Sequence, residues 1–164
     1  MSRAGGRTGC GEGRQAIWLA KRGWQMTAVD FSPVAVDRGR MIAERHGICV
    51  DWVVADVLDY DLPAPVDLVM ILYLHIHRDE FVGVLDKAAA ALAPGGTLLV
   101  LGWDRQNLTD DLGGPRPSEV LYSVEDLVGA IDGLQVVRAG QVLQAGSASA
   151  VDTLLTAIRP MHSR

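Results

Sequence analysis

The sequence predicts an α/β fold, in which a doubly wound, mostly parallel sheet carries helices on both faces and ends in an antiparallel strand. Two observations support this prediction. Short apolar runs of strand length alternate with segments whose apolar residues recur at helical spacing, which is typical of parallel strands joined by crossover helices. Near the end of the chain, two strand-like runs follow each other without a helix between them, which is typical of an antiparallel hairpin.

A strand followed by a helix is the first unit with clear boundaries. Gln25–Asp30 has the length and apolar content of a short buried strand. Ser32 is a preferred N-cap residue, and Pro33 suits the first helical position because the N–H that it lacks has no partner there. The predicted helix runs to His46 and stops at Gly47, which tolerates the left-handed backbone of a helix end.

The middle of the chain continues the alternation. Val50–Ala55 is the next predicted strand, and Val66–Leu72 is nearly continuously apolar, as a strand buried on both faces should be. Arg78–Ala93 carries apolar residues at helical spacing and is predicted as a helix. We expect Pro94–Gly96 to break that helix and Thr97–Trp103 to form the following strand.

The last part of the chain begins with a long polar segment. Asp104–Tyr122 is rich in Gly, Pro and Asp, and a loop of this length is more often functional than a plain connector. Ser123–Asp126 matches the pattern of a helix N-terminus and predicts a short helix. Leu134–Leu143 and Ala150–Ile158 are the two strands of the predicted closing hairpin.

Length and charge limit the classes of function. The 164 residues correspond to one domain, which we take to span residues 1–164. The formal net charge is −5, and Lys21 and Lys87 are the only lysines. Because a nucleic-acid partner requires a surface rich in Lys and Arg, this composition predicts no nucleic-acid binding.

The cysteines and the apolar runs point to an intracellular protein. Cys10 and Cys49 belong to no CxxC pattern or Cys/His cluster, so we expect neither a metal site nor a disulfide scaffold. A reducing cytoplasm is therefore the expected location. No membrane span is expected, since the longest apolar run, Leu68–Leu74, is far shorter than the ~18 residues that a spanning helix needs.

A glycine-rich loop, Gly9–Gly13, precedes a predicted helix over Arg14–Arg22 that Gly23 ends. Glycines allow a sharp turn and a close approach of the backbone to a ligand. The start of a helix also offers free N–H groups to a carboxylate or a phosphate. The loop is therefore a candidate ligand site, and the alternative is a tight surface turn without a ligand.

Two acids end predicted strands near this loop. Asp30 stands where a doubly wound fold places a carboxylate on the ribose hydroxyls of a nucleotide, although it could instead cap the following helix. Asp56 follows the next strand and could accept a hydrogen bond from an adenine amino group, or act as a turn residue only. Because ligands of open α/β sheets bind beyond the carboxyl ends of the strands, Gly9–Gly13, Asp30, Asp56 and Tyr73 are expected at one edge.

The glycine spacing separates two cofactor classes. A dehydrogenase fingerprint reads GxGxxG, whereas here the position of the last glycine is occupied by Arg14 and the spacing is GxGxG. This spacing resembles the first motif of class I S-adenosylmethionine-dependent methyltransferases. Three further segments resemble later motifs of that family, namely Ala28–Ala35, Val54–Val57 and Ala91–Leu99. Gly11–Gly23 is most similar to bacterial small-molecule methyltransferases of the tellurite-resistance and thiopurine methyltransferase type.

The resemblance implies a Rossmann-like methyltransferase fold, S-adenosylmethionine as the cofactor and a small-molecule methyl acceptor. It also implies a role for each matching position. The glycine loop would pack against the methionine part of the cofactor, and Asp30 would hold the ribose. Phe31, Asp56 and Val57 would contact the adenine, and the end of the fourth strand would cover the sulfonium. The implied cofactor-binding residues are Gly9, Cys10, Gly11, Asp30, Phe31, Asp56, Val57, Leu72 and Tyr73.

The acceptor side is less defined. A general base is needed only when the acceptor carries a proton that must leave, so the catalytic residues stay unknown at this stage. Tyr73 and His75 are the candidates, with His77 as a further one, and a helix-start or solvent-facing role is the alternative for each histidine. The segment from Asp104 to Tyr122 is expected to line the acceptor pocket.

One segment departs from the family pattern. The family has an apolar strand before the glycine loop, with an acid two residues before the first glycine, whereas here that position is Arg7 and Ser2–Thr8 has no large apolar side chain. We therefore expect an N-terminally truncated chain whose first strand and N-terminal cap are degraded or missing. The alternatives to an active methyltransferase are a truncated remnant without turnover and a nucleotide-binding oxidoreductase. The oligomeric state is left open.

Overall fold

Seven strands form one sheet in the computed structural model, which describes residues 3–62, 65–109, 118–144, 146 and 149–161. A short 3-10 turn covers Ser118–Val120. The other elements, in chain order, are β1 (Arg3–Thr8), α1 (Arg14–Ala20), β2 (Trp24–Asp30), α2 (Pro33–Arg45), β3 (Asp51–Val54), β4 (Val66–Leu72), α3 (Arg78–Ala91), β5 (Leu92–Trp103), α4 (Gln106–Thr109), α5 (Val124–Ala130), β6 (Gln135–Leu143) and β7 (Val151–Ile158).

The sheet has the order β3-β2-β1-β4-β5-β7-β6. The first five strands of this order run parallel, and β7 runs antiparallel to both β5 and β6. This arrangement confirms the predicted fold class, including the closing antiparallel pair. Parallel strands on either side of β1 bring the carboxyl ends of β1, β2, β3 and β4 to one edge of the sheet.

The core lies on both faces of the sheet because successive strand residues point to opposite sides. In β4, Val69 and Ile71 join the cluster that packs under α3 and α5, whereas Met70 and Leu72 join the cluster that packs under α1. All four side chains are at most 7% exposed. Burial on both faces of the sheet therefore explains why the sequence of β4 is a continuous apolar run, as predicted.

β1 forms through its backbone although it lacks large apolar side chains. It pairs in parallel with β2 and β4, and Gly5 and Gly6 are buried. Neighbouring side chains occupy the space that these glycines leave. A Cβ placed at Gly6 would lie 2.5 Å from a methyl carbon of Leu62, and one placed at Gly5 would lie 2.9 Å from the sulfur of Met26. Contacts from outside the strand therefore fill the centre of the sheet.

The boundary between α3 and β5 differs from the predicted one. The helix ends at Ala91 instead of Ala93, and the strand begins at Leu92 instead of Thr97. Pro94–Gly96 thus lies inside the strand. The cause is pairing with the segment after β7, since the Gly95 N–H donates to the Arg159 carbonyl and the Arg159 N–H donates to the Gly96 carbonyl.

The segment after β5 contains more regular structure than predicted. Besides α4 and the 3-10 turn, Asp104 and Tyr122 form an isolated parallel bridge. Residues 110–117 of the predicted acceptor loop lie outside the described residues. The predicted cap of α5 is confirmed, because the Ser123 hydroxyl accepts from the Asp126 N–H and the Asp126 carboxylate accepts from the Ser123 N–H. No helix in the described part of the chain is long and apolar enough to cross a membrane.

Candidate functional site

The glycine loop follows β1 at the carboxyl edge of the sheet. Gly9, Gly11 and Gly13 have φ values of +62°, +53° and +67°, a left-handed conformation that glycine adopts without strain. The Gly13 N–H donates to the Cys10 carbonyl over 2.9 Å, which closes a tight turn. A Cβ placed at Gly11 would meet nothing within 4 Å. The loop therefore leaves free space beside the backbone of Gly11, where a ligand can approach.

The indole of Trp52 supports the loop from β3. A Cβ placed at Gly13 would lie 2.3 Å from this ring, and one placed at Gly39 of α2 would lie 2.4 Å from it. Both positions thus require glycine so that the ring can lie between the loop and the helix. The shape of the loop consequently depends on packing against a strand about 40 residues later in the chain.

Asp30, at the end of β2, is bound to the loop. Asp30 is only 7% exposed, and its Oδ2 accepts a hydrogen bond from the Gly11 N–H over 2.7 Å. Its Oδ1 accepts from the Ser32 N–H over 2.9 Å, while the Ser32 hydroxyl accepts from the Ala35 N–H. Ser32 is therefore the cap of α2, and Asp30 holds the backbone of that cap. The ribose role of Asp30 stays a prediction, for which its oxygens have capacity because each can accept more than one hydrogen bond.

The residues predicted to surround adenine lie next to Asp30. The Ala55 N–H donates to the Asp30 carbonyl, which holds the chain after β3 against the end of β2. Phe31 is 76% exposed, an unusual position for a large aromatic ring, while Val57 is buried. Asp56 is exposed, and its Oδ1 accepts from the Leu58 N–H over 2.9 Å. The turn role of Asp56 is thus present in the structure, and its role toward a ligand stays a prediction.

Tyr73 follows β4 at the same edge, directly after the buried Leu72. Among the described residues it is the only non-glycine with a positive φ, at 55°. Its N–H donates to the Leu101 carbonyl over 2.7 Å, and its hydroxyl donates to Oδ2 of Asp152 over 2.5 Å. Burial, together with the nearby Asp152 carboxylate, raises the pKa of Tyr73 to about 12. The side chain is therefore a neutral phenol at neutral pH.

The two candidate histidines have different surroundings. His75 is half-buried, its ring lies 6.4 Å from that of Tyr73, and within the described part of the chain its Nε2 has no hydrogen-bond partner. Burial lowers the pKa of His75, although the nearby Asp152 opposes this shift. His77 is exposed and occupies the N-cap position of α3. The helix-start alternative thus describes His77, and His75 remains beside Tyr73.

Asp152 was not among the predicted site residues. It lies in β7, is only 2% exposed, and its Oδ1 has no hydrogen-bond partner among the described residues. Burial raises the pKa of its carboxyl above the usual range, against the effect of the Tyr73 hydrogen bond. The one sequence signal was an acid inside the strand-like run Val151–Ile158, because an acid is rarely buried without a reason.

Neighbouring residues of this corner have satisfied hydrogen bonds. Asp104 is 3% exposed, and its two oxygens accept from the Thr153 hydroxyl and from the Gln106 N–H. The Tyr122 hydroxyl donates to the Leu74 carbonyl, and its ring stacks on Phe81 with the ring centroids 4.2 Å apart. Tyr122 thus fixes the segment after Tyr73, and it belongs to the core.

A separate depression of about 550 Å³ lies at the opposite end of the sheet. It is lined by the segments around the start of β2 and the start of β3, including Trp24, Met26 and Asp51. None of the predicted cofactor-binding residues lines it. The chemistry-bearing residues therefore surround an open edge at the carboxyl ends of the strands and not this depression.

Comparisons with known proteins point to one family. Residues 7–96, more than half of the chain, match the family model described as "Methyltransferase domain". The chain is 32% identical over 94 residues to the ubiquinone biosynthesis O-methyltransferase of Xylella fastidiosa (strain 9a5c). It is 30% identical over 115 residues to the 2-heptyl-1-hydroxyquinolin-4(1H)-one methyltransferase of Mycobacteroides abscessus.

These matches cover parts of the proteins. The Xylella match covers 56% of this chain and 38% of that protein, and the Mycobacteroides match covers 66% and 50%. Among solved structures, the N-methyltransferase NodS from Bradyrhizobium japonicum WM9 with bound S-adenosyl-l-homocysteine has a TM-score of 0.77 at 21% identity. That match covers 96% of this chain and 78% of the solved chain. Because only 21% of the residues are identical, the match shows a shared fold and no more.

Proposed function

The chain belongs to the methyltransferase domain family and has the class I fold, and on this basis we propose that it transfers a methyl group from S-adenosylmethionine to a small-molecule acceptor. The observation that carries the proposal is the juxtaposition of the open backbone at Gly11 with the carboxylate of Asp30. A cofactor with a charged amino-acid part and a ribose needs both features at one edge.

The residues present fit such a cofactor. We assign the methionine part to Gly9–Gly11, because the left-handed Gly11, which has no Cβ, leaves open space beside the loop. The second lone pairs of the Asp30 carboxylate suit ribose hydroxyls. The exposed ring of Phe31, with Asp56 and Val57, suits the adenine. When bound, the cofactor supplies a methyl group already activated by the sulfonium.

The protein would then position the acceptor and exclude water from it. Leu72 and Tyr73 stand at the end of β4, between the glycine loop and the segment that leads to α3. Aromatic ring faces attract cations, so Tyr73 suits the sulfonium side. His75, whose ring lies 6.4 Å from that of Tyr73, completes this side of the edge.

Small molecules are the proposed acceptor class for two reasons. The printed names of the relatives refer to ubiquinone biosynthesis and to a hydroxyquinolone, which are small organic compounds. The net charge of −5 gives no general attraction to the phosphates of nucleic acid. We therefore propose an acceptor that binds by shape and by a few polar contacts at the edge of the sheet.

Calorimetry tests the cofactor part of this proposal. S-adenosylmethionine and S-adenosylhomocysteine are titrated into the chain, with NAD⁺ as the competing ligand class. We expect saturable binding of both sulfur compounds and none of NAD⁺ at the same concentrations. Tighter binding of NAD⁺ would favour the oxidoreductase alternative, and absence of binding of any of the three would favour a remnant without turnover.

A further inference from the structure

The proposed function leaves one buried acid without a role. Asp152 reaches the carboxyl edge from β7, where it is paired with Trp103 of β5. Its side chain is 2% exposed, one oxygen accepts from the Tyr73 hydroxyl, and the other has no partner among the described residues. A buried carboxylate with half of its capacity unused costs stability, so its presence calls for a reason.

The neighbouring acid is a useful contrast. Asp104 is buried to a similar degree, yet both of its oxygens accept protein hydrogen bonds, from Thr153 and Gln106. Asp104 is thus explained by local structure. Within the described part of the chain, the Asp152 carboxylate accepts a hydrogen bond only from Tyr73, a residue 79 positions away in the sequence. The two acids therefore differ in their hydrogen-bond partners, and of the two only Asp152 is bonded to Tyr73, which lies at the carboxyl edge of the sheet.

Tyr73 links this acid to the open side of the edge. The residue is 38% exposed, so part of the side chain faces outward while its hydroxyl reaches the buried carboxylate. Its φ of 55° is unfavourable for a residue with a Cβ, and such strain is retained mainly where a side chain must be held in a set direction. The hydroxyl donates to Asp152, and the Gln144 side chain is a second hydrogen-bond partner of the same group. A bound acceptor hydroxyl would take the place of Gln144 on the Tyr73 oxygen.

We propose that Tyr73 and Asp152 form a proton relay for acceptors that carry a hydroxyl group. Tyr73 is the catalytic residue that touches the acceptor, and Asp152 is the positioning residue that acts through it. This inference rests on the proposed methyl transfer and adds the acceptor class to it. A relay of this kind is needed only when the methylated oxygen must lose a proton.

The atoms and charges of the step balance. The bond between the sulfonium sulfur and the methyl carbon breaks, and a bond between that carbon and the acceptor oxygen forms. The acceptor proton passes to the Tyr73 oxygen while the Tyr73 proton passes to Oδ2 of Asp152. The sulfonium loses its positive charge, the carboxylate loses its negative charge, and the methylated product is neutral. The proton leaves Asp152 for solvent after the product departs.

His75 forms the second polar wall of this corner. Its Nε2 is buried without a partner among the described residues, and its ring is tilted at 49° to that of Tyr73. The lowered pKa that burial gives His75 keeps the ring neutral at neutral pH. A neutral imidazole can bind a hydroxyl group without competing with Asp152 for the proton.

The test compares acceptors with and without a proton to lose. The hydroxyl probes are 2-heptyl-1-hydroxyquinolin-4(1H)-one and catechol, and the proton-free probe is 2-nitro-5-thiobenzoate, a thiolate at neutral pH. Transfer from labelled S-adenosylmethionine is measured for the wild-type chain, Asp152→Asn and Tyr73→Phe. Asp67→Asn is the control, because Asp67 accepts from the Ala4 N–H near the other end of the sheet.

We expect the wild-type chain to methylate a hydroxyl probe. Asp152→Asn and Tyr73→Phe should lower kcat by about 100-fold or more, the usual effect of losing acid–base assistance. KM for the cofactor should change less than about twofold, and Asp67→Asn should keep the wild-type kcat. The wild-type kcat should fall toward acid pH as Asp152 gains a proton. This dependence on pH should disappear in Asp152→Asn. The other groups that face position 152, Tyr73, His75 and Asp104, are unchanged in that variant, so the loss would be due to Asp152.

Three results would overturn the relay. Wild-type kcat in both variants, transfer to the thiolate only, or no transfer to either hydroxyl probe by a chain that binds the cofactor would each exclude it. In all three cases, calorimetric binding of S-adenosylmethionine leaves the cofactor part of the proposed function standing. A wild-type chain that binds no cofactor would instead overturn the proposed function, and the relay with it.

Discussion

At the scale of single residues, Asp30 has an observed structural task, to which the proposed function adds a ligand-binding task. Its two oxygens hold the backbone of the glycine loop at Gly11 and the start of α2 at Ser32. The carboxylate is therefore fixed in place before any ligand arrives, which lowers the entropic cost of binding a ribose. Removing it should loosen the loop as well as delete the proposed ribose contact.

Asp30→Ala should weaken binding of S-adenosylhomocysteine by about 2–4 kcal/mol, because one or two charge-assisted hydrogen bonds are lost. This corresponds to roughly 30- to 1000-fold in the dissociation constant and is measured by calorimetry. Ser32→Ala is the control, since it removes a helix cap worth about 1 kcal/mol of stability and no proposed ligand contact. Equal affinities of wild type and Asp30→Ala would remove Asp30 from the site.

Asp152→Asn should raise the melting temperature at neutral pH by a few degrees. Burial raises the pKa of this carboxyl above 3.8, so the folded state favours the protonated form. The stabilising effect of the protonated carboxyl is complete below the pKa that Asp152 has in the unfolded chain. It is lost as the pH rises through the pKa that Asp152 has in the folded protein. The melting difference between variant and wild type should therefore vanish in acid below about pH 3.8. A variant that melts lower at neutral pH would contradict this prediction.

At the scale of elements, β1 depends on its neighbours for packing. A strand with Gly5 and Gly6 at its centre loses backbone entropy on folding and offers no side chains to the core. Leu62 and Met26, which lie outside the strand, occupy the space that these glycines leave. The expectation of a degraded first strand stays a prediction.

Gly39→Ala tests the packing of α2, β3 and the glycine loop. The new Cβ would lie 2.4 Å from the Trp52 ring and 2.9 Å from the Glu12 carbonyl oxygen. We expect a loss of about 1–3 kcal/mol in the free energy of unfolding, measured by urea denaturation, and weaker cofactor binding because the loop shifts.

Gly83→Ala in α3 is the matched control for that substitution. It is also a helical glycine, but a Cβ there would meet nothing within 4 Å. It should stabilise the chain by about 0.5–1 kcal/mol through helix propensity alone, without an effect on cofactor binding. Similar changes in both variants would show that Trp52 moves aside without cost.

At the scale of the whole molecule, charge limits the partners. The net charge of −5 is spread over 20 acidic and 15 basic residues. A surface of this kind gives weak electrostatic steering toward anionic polymers. The proposed acceptor must therefore be held by local contacts at the carboxyl edge of the sheet.

Labelled S-adenosylmethionine should give no transfer to transfer RNA or duplex DNA at physiological salt. The reason is that a net charge of −5 does not favour the phosphate contacts that supply most non-specific affinity. The measurement is acid-precipitable label at low and at physiological salt, with 2-heptyl-1-hydroxyquinolin-4(1H)-one as the small-molecule comparison. Strong labelling of either polymer that declines as salt rises would contradict the proposal of a small acceptor.

Sequence reasoning predicted the strands and helices of most of the chain because burial imposes periods that can be seen in the residues. Val66–Leu72 is predicted and observed with the same limits, and the β6–β7 hairpin differs from prediction by one residue at the start of each strand. The end of α3 was wrong by two residues. Its position depends on pairing between Gly95 and Arg159, which no local pattern reveals.

The sequence by itself determined the fold class, the family resemblance and the edge at which glycines and acids meet, since the positions and ends of the strands follow from local periodicity and chain direction. Only the tertiary structure decided that Asp152 reaches Tyr73, that Trp52 supports the loop and that Leu62 covers Gly6. These contacts join residues far apart in the chain. Their geometry is set by close packing of side chains across strands, and packing of this kind leaves no period in the sequence.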